Sequence, residues 1–167
     1  TRVTDGAVGV SDTELWWADT QGLRSHRVLV ADATILGLKA LHADVDDQLD
    51  VLVWTTTTAY LLRGRTGGGL SWGGALRAQG FDVGGVGLGD LSGDNIPDIA
   101  IAWAGRAGNP GLLEVWHGDG LFGFTRTEPR TLSAKPISLS VADSTGEGQP
   151  QVTVLSADGT GLRRIRD

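Results

Sequence analysis

The chain has 167 residues, a net charge of −6, 40% hydrophobic and 20% charged residues, and no Cys. That length supports one domain with a real core, and the acidic balance argues against nonspecific nucleic-acid binding. No apolar run approaches a membrane span, and the lack of Cys excludes disulfides and thiolate metal sites.

The chain opens on "TRVTDG" and contains no Met, so it reads as a processed or partial chain. Alternating apolar positions and turn residues predict 14 strands, near 7–11, 14–18, 26–30, 36–43, 50–54, 58–63, 70–72, 83–89, 98–103, 112–117, 122–127, 136–142, 151–156 and 161–166. No stretch has helical periodicity; the nearest candidate, Ala75 to Gly80, is short and bounded by Gly. The 26 glycines are spread through "TGGGLSWGG", "VGGVGLGD" and "HGDGLFGF", which suits tight turns and closely approaching strands.

Three segments repeat in chain order: "KALHADVDDQLDVLVW" (39–54), "GVGLGDLSGDNIPDIAIAW" (85–103) and "SLSVADSTGEGQPQVTVLS" (138–156). Each has an alternating strand, an acidic loop and a β-branched apolar strand. From Asp44 to Asp90 is 46 residues, and from Asp90 to Asp143 is 53. Periods near 50 with several strands inside mark propeller blades. The predicted fold is therefore all-β, with four-stranded antiparallel blades. A partial blade covers 1–34, blades cover 35–81 and 82–133, and a partial blade covers 134–167. Three and a half blades predict half of a seven-bladed ring. A second copy of the chain, as a homodimer, or further blades from missing sequence would complete it.

The three loops (44–50, 90–98 and 143–151) hold nine of the twenty acidic residues. The second is the fullest: Asp90, Ser92, Asp94 and Asp98 alternate through "DLSGDNIPD" before the chain turns apolar. Crowded carboxylates repel unless a cation joins them, and alternate oxygen donors on a turn suit Ca²⁺. A solvated polar turn is the competing reading. An EF-hand is rejected, because its twelfth position, Ile101, is not Glu and lies in a strand.

"DLSGDNIPDIAI" resembles the FG-GAP or VCBS repeat of integrin-alpha-like β-propellers, with its D-x-[DNS]-x-D-G-x-x-D loop between the first two strands of a blade. The resemblance is fullest in one blade and looser in two. It implies one Ca²⁺ held by Asp90, Ser92, Asp94 and Asp98, with the carbonyl of Ile96. Asn95 stands where that family prefers Gly, and Asn tolerates the left-handed turn this requires. In the first loop Asp44, Asp46 and Asp50 align, with Asp47 unassigned, and the span between end carboxylates is two residues shorter. In the third, Asp143, Thr145 and Glu147 align, while Gln151 replaces the last Asp; a metal-free turn is equally open there.

Other features carry less. His26, His42 and His117 are far apart, and His42 reads as a partly buried structural histidine. No nucleophile elbow, Walker motif or dinucleotide fingerprint occurs, and paired acids inside one loop do not suit a glycosidase. Trp54 and Trp103 end the strand after the loop, and Trp17 and Trp116 lie in the next strand, as repeated packing positions would. Trp72, among turn glycines, is the candidate ligand-stacking aromatic. Arg163, Arg164 and Arg166 form a C-terminal basic cluster suited to an interface or to solvent.

The expected function is a noncatalytic, calcium-stabilised binding or adhesion scaffold, secreted or at a cell surface, presenting loops to a protein or glycan. The alternatives are a lectin or the propeller domain of a carbohydrate-active enzyme, and a structural subunit of a surface assembly. No nucleic acid and no membrane insertion are expected.

Overall fold

In a computed structural model the chain is all-β. The structure describes residues 6–19, 25–158 and 163–165. The side chains of His26, Arg163 and Arg164, and all of Arg166, lie outside the described residues. Among the described residues there is no helix, and so none long and apolar enough to cross a membrane.

The chain divides into two compact units, Thr1–Arg77 and Ala78–Asp167. In the first, β1 (Gly6–Ser11), β2 (Glu14–Asp19) and β3 (Ser25–Val30) form one antiparallel sheet. A second antiparallel sheet takes β4 (Ile35–Leu41), β5 (Asp50–Thr55), β6 (Ala59–Gly64) and β7 (Leu70–Leu76) in chain order. Leu15 of β2 packs with Val51, Val53, Tyr60 and Leu62 to make the core of this unit, and Trp17 lies against it.

The second unit also holds two antiparallel sheets. β8 (Phe81–Gly89), β9 (Asp98–Gly105), β10 (Leu112–Gly118) and β11 (Phe124–Arg126) lie in order, with the short β12 (Arg130–Thr131) also paired to β10. β13 (Pro136–Ala142), β14 (Gln151–Ser156) and β15 (Arg163–Ile165) form the next sheet. Ala100, Ala102, Leu113, Val115, Leu139, Val152 and Val154 make its core. β9 is buried from Asp98 through Ala104, which explains why its sequence is continuously apolar rather than alternating.

The first hairpin of each repeat is built alike. A bulge falls at Leu36, Gly84 and Ile137, and the loop leaves from Leu41, Gly89 and Ala142, which pair with Asp50, Asp98 and Gln151. The spacings between equivalent residues are 48 and 53 throughout. Strand pairing therefore corrects the 46-residue spacing expected from the first Asp of each loop. It also corrects the tryptophans. Trp54 is equivalent to Ala102, and Thr55 to Trp103, so the two indoles differ by one position and point to opposite faces of their sheets.

The glycines of β8 have a packing cause. A Cβ on Gly85 or Gly87 would collide with Leu139, and on Gly87 or Gly89 with Val141, because β13 lies directly over that face. By contrast, a Cβ at Gly74 of β7 meets nothing within 4 Å. Gly87→Ala is expected to lower unfolding free energy by about 1–3 kcal/mol, the usual cost of overpacking. Gly74→Ala should stay within ~0.5 kcal/mol of the parent. Chemical denaturation of both variants checks the pair, and equal effects would contradict the packing cause.

Candidate functional site: three equivalent loops

Strand pairing sets the register of the loops. Each contains eight residues between its strand ends: 42–49, 90–97 and 143–150. The first loop is therefore not shorter than the others. Its first position is His42, equivalent to Asp90 and Asp143, and Asp44 takes the third position with Ser92 and Thr145. Asp46 matches Asp94 and Glu147, Gln48 matches Ile96 and Gln149, and Asp50 matches Asp98 and Gln151. One backbone feature confirms this alignment independently. Asp47, Asn95 and Gly148 occupy the same place, and all are left-handed, with φ of 58°, 67° and 82°.

The ninth position is a latch. Asp98 is fully buried. Its Oδ2 accepts the N–H groups of Leu91 and Ser92 at 2.8 and 2.9 Å, and its Oδ1 accepts that of Gly118, at the end of β10, at 3.0 Å. His117 Nδ1 lies 3.2 Å from Oδ2. Asp50, also fully buried, repeats the arrangement: Oδ2 takes Ala43 N–H and Oδ1 takes Gly64 N–H, both at 2.8 Å. Burial pushes the Asp50 carboxyl above its ordinary range despite those two donors, and the charges of Asp44 and Asp46 add to the rise. Gln151 is a neutral version, its Oε1 accepting Ser144 N–H at 3.2 Å and Ser144 Oγ–H at 2.8 Å.

The glycines that end β6 and β10 belong to this latch. A Cβ on Gly64 would strike the Leu49 carbonyl, and on Gly118 the equivalent Pro97 carbonyl. Only a bare backbone lets the loop come close enough for the carboxylate to reach the third strand.

The first position ties the loop's own turn. Asp90 Oδ1 accepts Gly93 and Asp94 N–H at 2.6 and 3.1 Å and Ser92 Oγ–H at 3.4 Å, while Oδ2 accepts Asn95 N–H at 2.8 Å. Asp143 does the same with Thr145, Gly146 and Gly148. The small burial of Asp90 raises its pKa, but those donors outweigh it and hold the carboxyl below the ordinary 3.8. For Asp143 the Gly148 and neighbouring N–H groups do likewise. At the fifth position Asp46 and Asp94 each accept the N–H two residues on, from Gln48 and Ile96, at 2.9 Å.

His42 departs from expectation. It is exposed, not tucked into the sheet packing, because it begins the loop rather than ending the strand. Its Nδ1 lies 3.0 Å from the Gln48 carbonyl. Arg63 crosses the same loop, with Nη2 at 2.5 Å from Asp44 Oδ2 and 3.8 Å from Asp46 Oδ2. Burial raises the Asp44 carboxyl, but the Asp46 N–H and the guanidinium outweigh it and hold it below the ordinary range.

A metal ion needs oxygen donors that can face it. Among the described residues no three His, Cys, Asp or Glu side chains stand grouped for one. In loop 90–97 the donor chemistry is nevertheless that of a hard-cation turn: Asp90, Ser92 and Asp94 carry oxygens only, and the last two are exposed. Asp98 is differently placed. Unlike Asp90, it is fully buried, and its donors include the Gly118 amide of the third strand and the neighbouring His117 rather than the loop's own turn alone. Its geometry makes it the anchor beneath the loop.

Trp72 is 61% exposed on the edge strand β7, its ring edge-on to Tyr60 with centroids 5.9 Å apart. A second polar hub, unread in the sequence, lies at the far end of β5. Asp32 accepts hydrogen bonds from Tyr60 Oη–H at 2.6 Å, Thr58 at 2.9 Å, Thr57 at 3.2 Å and Thr55 at 3.3 Å. The run "TTTTAY" carried that signal: buried Thr55, Thr58 and Tyr60 hydroxyls need an acceptor. Trp103 is likewise buried with its Nε1–H donated to Glu114 at 2.9 Å, and Arg126 spans Glu114 and the face of Trp116.

Asp98→Ala would leave buried donors unmet, at roughly 1–3 kcal/mol for each unsatisfied group. Asp94→Ala, which loses one exposed hydrogen bond, should cost about 0.5–1.5 kcal/mol. Urea titration of the two variants separates them. Acid supplies a second check in chelator-treated buffer. Asp90 and Asp143 have depressed folded pKa values, so their contribution is present above the unfolded value and is lost as pH falls through the folded one. Protection of the Gly93 and Gly148 amides, taken against the intrinsic exchange rate at each pH, should fall once pH drops below the ordinary 3.8, and unchanged protection would contradict the carboxylate ties.

No protein-family model matches the chain, and comparison with curated proteins finds no match.

Proposed function

We propose that the chain is part of a β-propeller of the FG-GAP or VCBS kind. In this reading loop 90–97 takes Ca²⁺, and the whole is a noncatalytic scaffold that presents its loops to a protein or glycan. The observation that carries this reading is the recurrence of one eight-residue loop. It joins the first two strands of three sheets, with the same bulge before it, and the residue after it, Asp50, Asp98 or Gln151, accepts a hydrogen bond from the loop's own backbone. Sheets whose strands lie in chain order, and the close approach of first strands β8 and β13, also suit neighbouring blades.

Asp90, Ser92, Asp94 and the Ile96 carbonyl would hold the cation. Ca²⁺ bound there supplies positive charge to a turn that otherwise crowds carboxylates. The chain's own residues do the remaining work. Asp90 sets the turn through its amide bonds, Asn95 provides the left-handed corner, and Asp98 anchors the loop to the third strand. Calcium modules of extracellular proteins bind at ~10⁻⁴–10⁻³ M, a range filled outside cells and empty in the cytosol. Secretion or surface display follows from that reading.

The lectin reading has one observation in its favour. Trp72 is exposed and held edge-on by Tyr60, an arrangement suited to stacking on a sugar ring.

Thermal melting tests the calcium reading. Calcium at ten times its Kd should add about 1.4 kcal/mol, a rise of several degrees for a unit of this size. Asp94→Ala should abolish the rise, so that the variant, whatever the lost hydrogen bond costs it, melts at the same temperature in calcium and in chelator. An identical melt in calcium and chelator, or a full rise in Asp94→Ala, would contradict it.

A further inference from the structure

The first loop solves the same charge problem by other means. We infer that the Arg63 guanidinium stands in place of a bound cation in loop 42–49, with the His42 to Gln48 bond closing the turn, so that this loop is held without metal.

Four observations converge. Arg63 reaches the third and fifth positions together, at 2.5 Å from Asp44 and 3.8 Å from Asp46. These are two of the positions whose counterparts, Ser92 and Asp94, are the cation donors proposed in loop 90–97. Asp44 is buried, with 3% of its side chain exposed, and its Oδ2 has no hydrogen bond apart from this ion pair. A buried carboxylate oxygen without a donor is strongly disfavoured, and Arg63 supplies the one this oxygen otherwise lacks. The first position, an acid in both sister loops, is His42 here. Its Nδ1 lies against the Gln48 carbonyl, so one side chain links the first and seventh positions directly. Finally, β6 delivers both fastenings at once, because Arg63 immediately precedes Gly64, whose N–H enters the Asp50 latch. His117 occupies the equivalent place before Gly118 and is positioned at Asp98 instead.

The substitution is chemically coherent. A guanidinium is planar and permanently charged, and here its Nη2 contacts Asp44 directly while its charge lies within ion-pair range of Asp46. It is covalently fixed, so it neither dissociates nor depends on calcium supply. The two kinds of loop then respond to different conditions. Loop 90–97 follows calcium, while loop 42–49 keeps its form in calcium-free solution.

This inference extends the calcium reading to a sister loop, and amide hydrogen exchange on the full chain tests the two separately. The Asp46 and Gln48 amides report loop 42–49, and the Gly93 and Asn95 amides report loop 90–97. In the unsubstituted chain, Asp46 and Gln48 are expected to exchange at the same rate in chelator and in about 5 mM calcium. Arg63→Met should speed them at least about tenfold. Adding His42→Asp to Arg63→Met should make them calcium-responsive, with calcium restoring them to within about threefold of the parent rate. Slowing by calcium in the unsubstituted chain would overturn the inference, and that arm requires no substitution. An unchanged rate in Arg63→Met, or no calcium response in the double variant, would overturn it as well. If loop 42–49 behaves as expected while Gly93 and Asn95 ignore calcium, the inference stands and the calcium proposal for loop 90–97 falls.

Discussion

The buried residue at the start of the second strand is the constraint on which each repeat depends, a carboxylate in two of them and the Gln151 amide in the third. Asp98 holds two amides of its loop with one oxygen and the Gly118 amide with the other. Asp50 makes the same connection between Ala43 and Gly64. One side chain therefore fixes three things: the loop's entry, the start of its own strand, and the end of the strand beyond. Buried polar groups are tolerated only when satisfied, and here the satisfaction itself carries structural information. It requires glycine at the third strand's end, because a Cβ at Gly64 or Gly118 would push the loop away.

With the latch in place, the rim of the loop is free to diverge. Loop 42–49 neutralises its acids with Arg63. Loop 90–97 ties Asp90 into its turn and leaves Ser92 and Asp94 exposed as oxygen donors. Loop 143–150 repeats the Asp143 turn but replaces the latch with a neutral amide at Gln151, which also donates to Thr145 Oγ1 and to the Gln149 carbonyl. An amide has one accepting oxygen where a carboxylate has two. Gln151 Oε1 is accordingly spent on Ser144. The three loops share a frame and differ in how they balance charge. The same distinction separates what the fold requires of these residues from what a ligand would use.

Much of the fold was legible in the sequence. The pattern located all the strands but the short β12, and the β-branched runs after the first two loops became strands buried along both faces, whereas β14 leaves Leu155 exposed. Asn95 as a left-handed corner was legible from its chemistry alone, and its φ of 67° agrees. The first loop was misregistered for a physical reason. Counting from its first Asp assumes that an acid must open the loop, whereas the register belongs to the hairpin and places His42 there. The same one-residue sensitivity separated Trp54 from Trp103, since adjacent strand positions face opposite sides. The long-range partners were not legible. Nothing local ties Asp98 to Gly118, or Asp32 to Tyr60, until the strands are paired. In retrospect, an Asp opening the second strand and a Gly closing the third were the visible halves of the latch.

The most direct test of the latch is the exchange rate of the Gly64 and Gly118 amides. Both sit at strand ends, where fraying normally gives fast exchange. If their N–H groups are held by buried carboxylates, they should exchange only through opening of their whole unit, as slowly as Leu52 and Ile101 in the neighbouring core strands. Exchange as fast as at an exposed turn such as Gly108 would contradict the account.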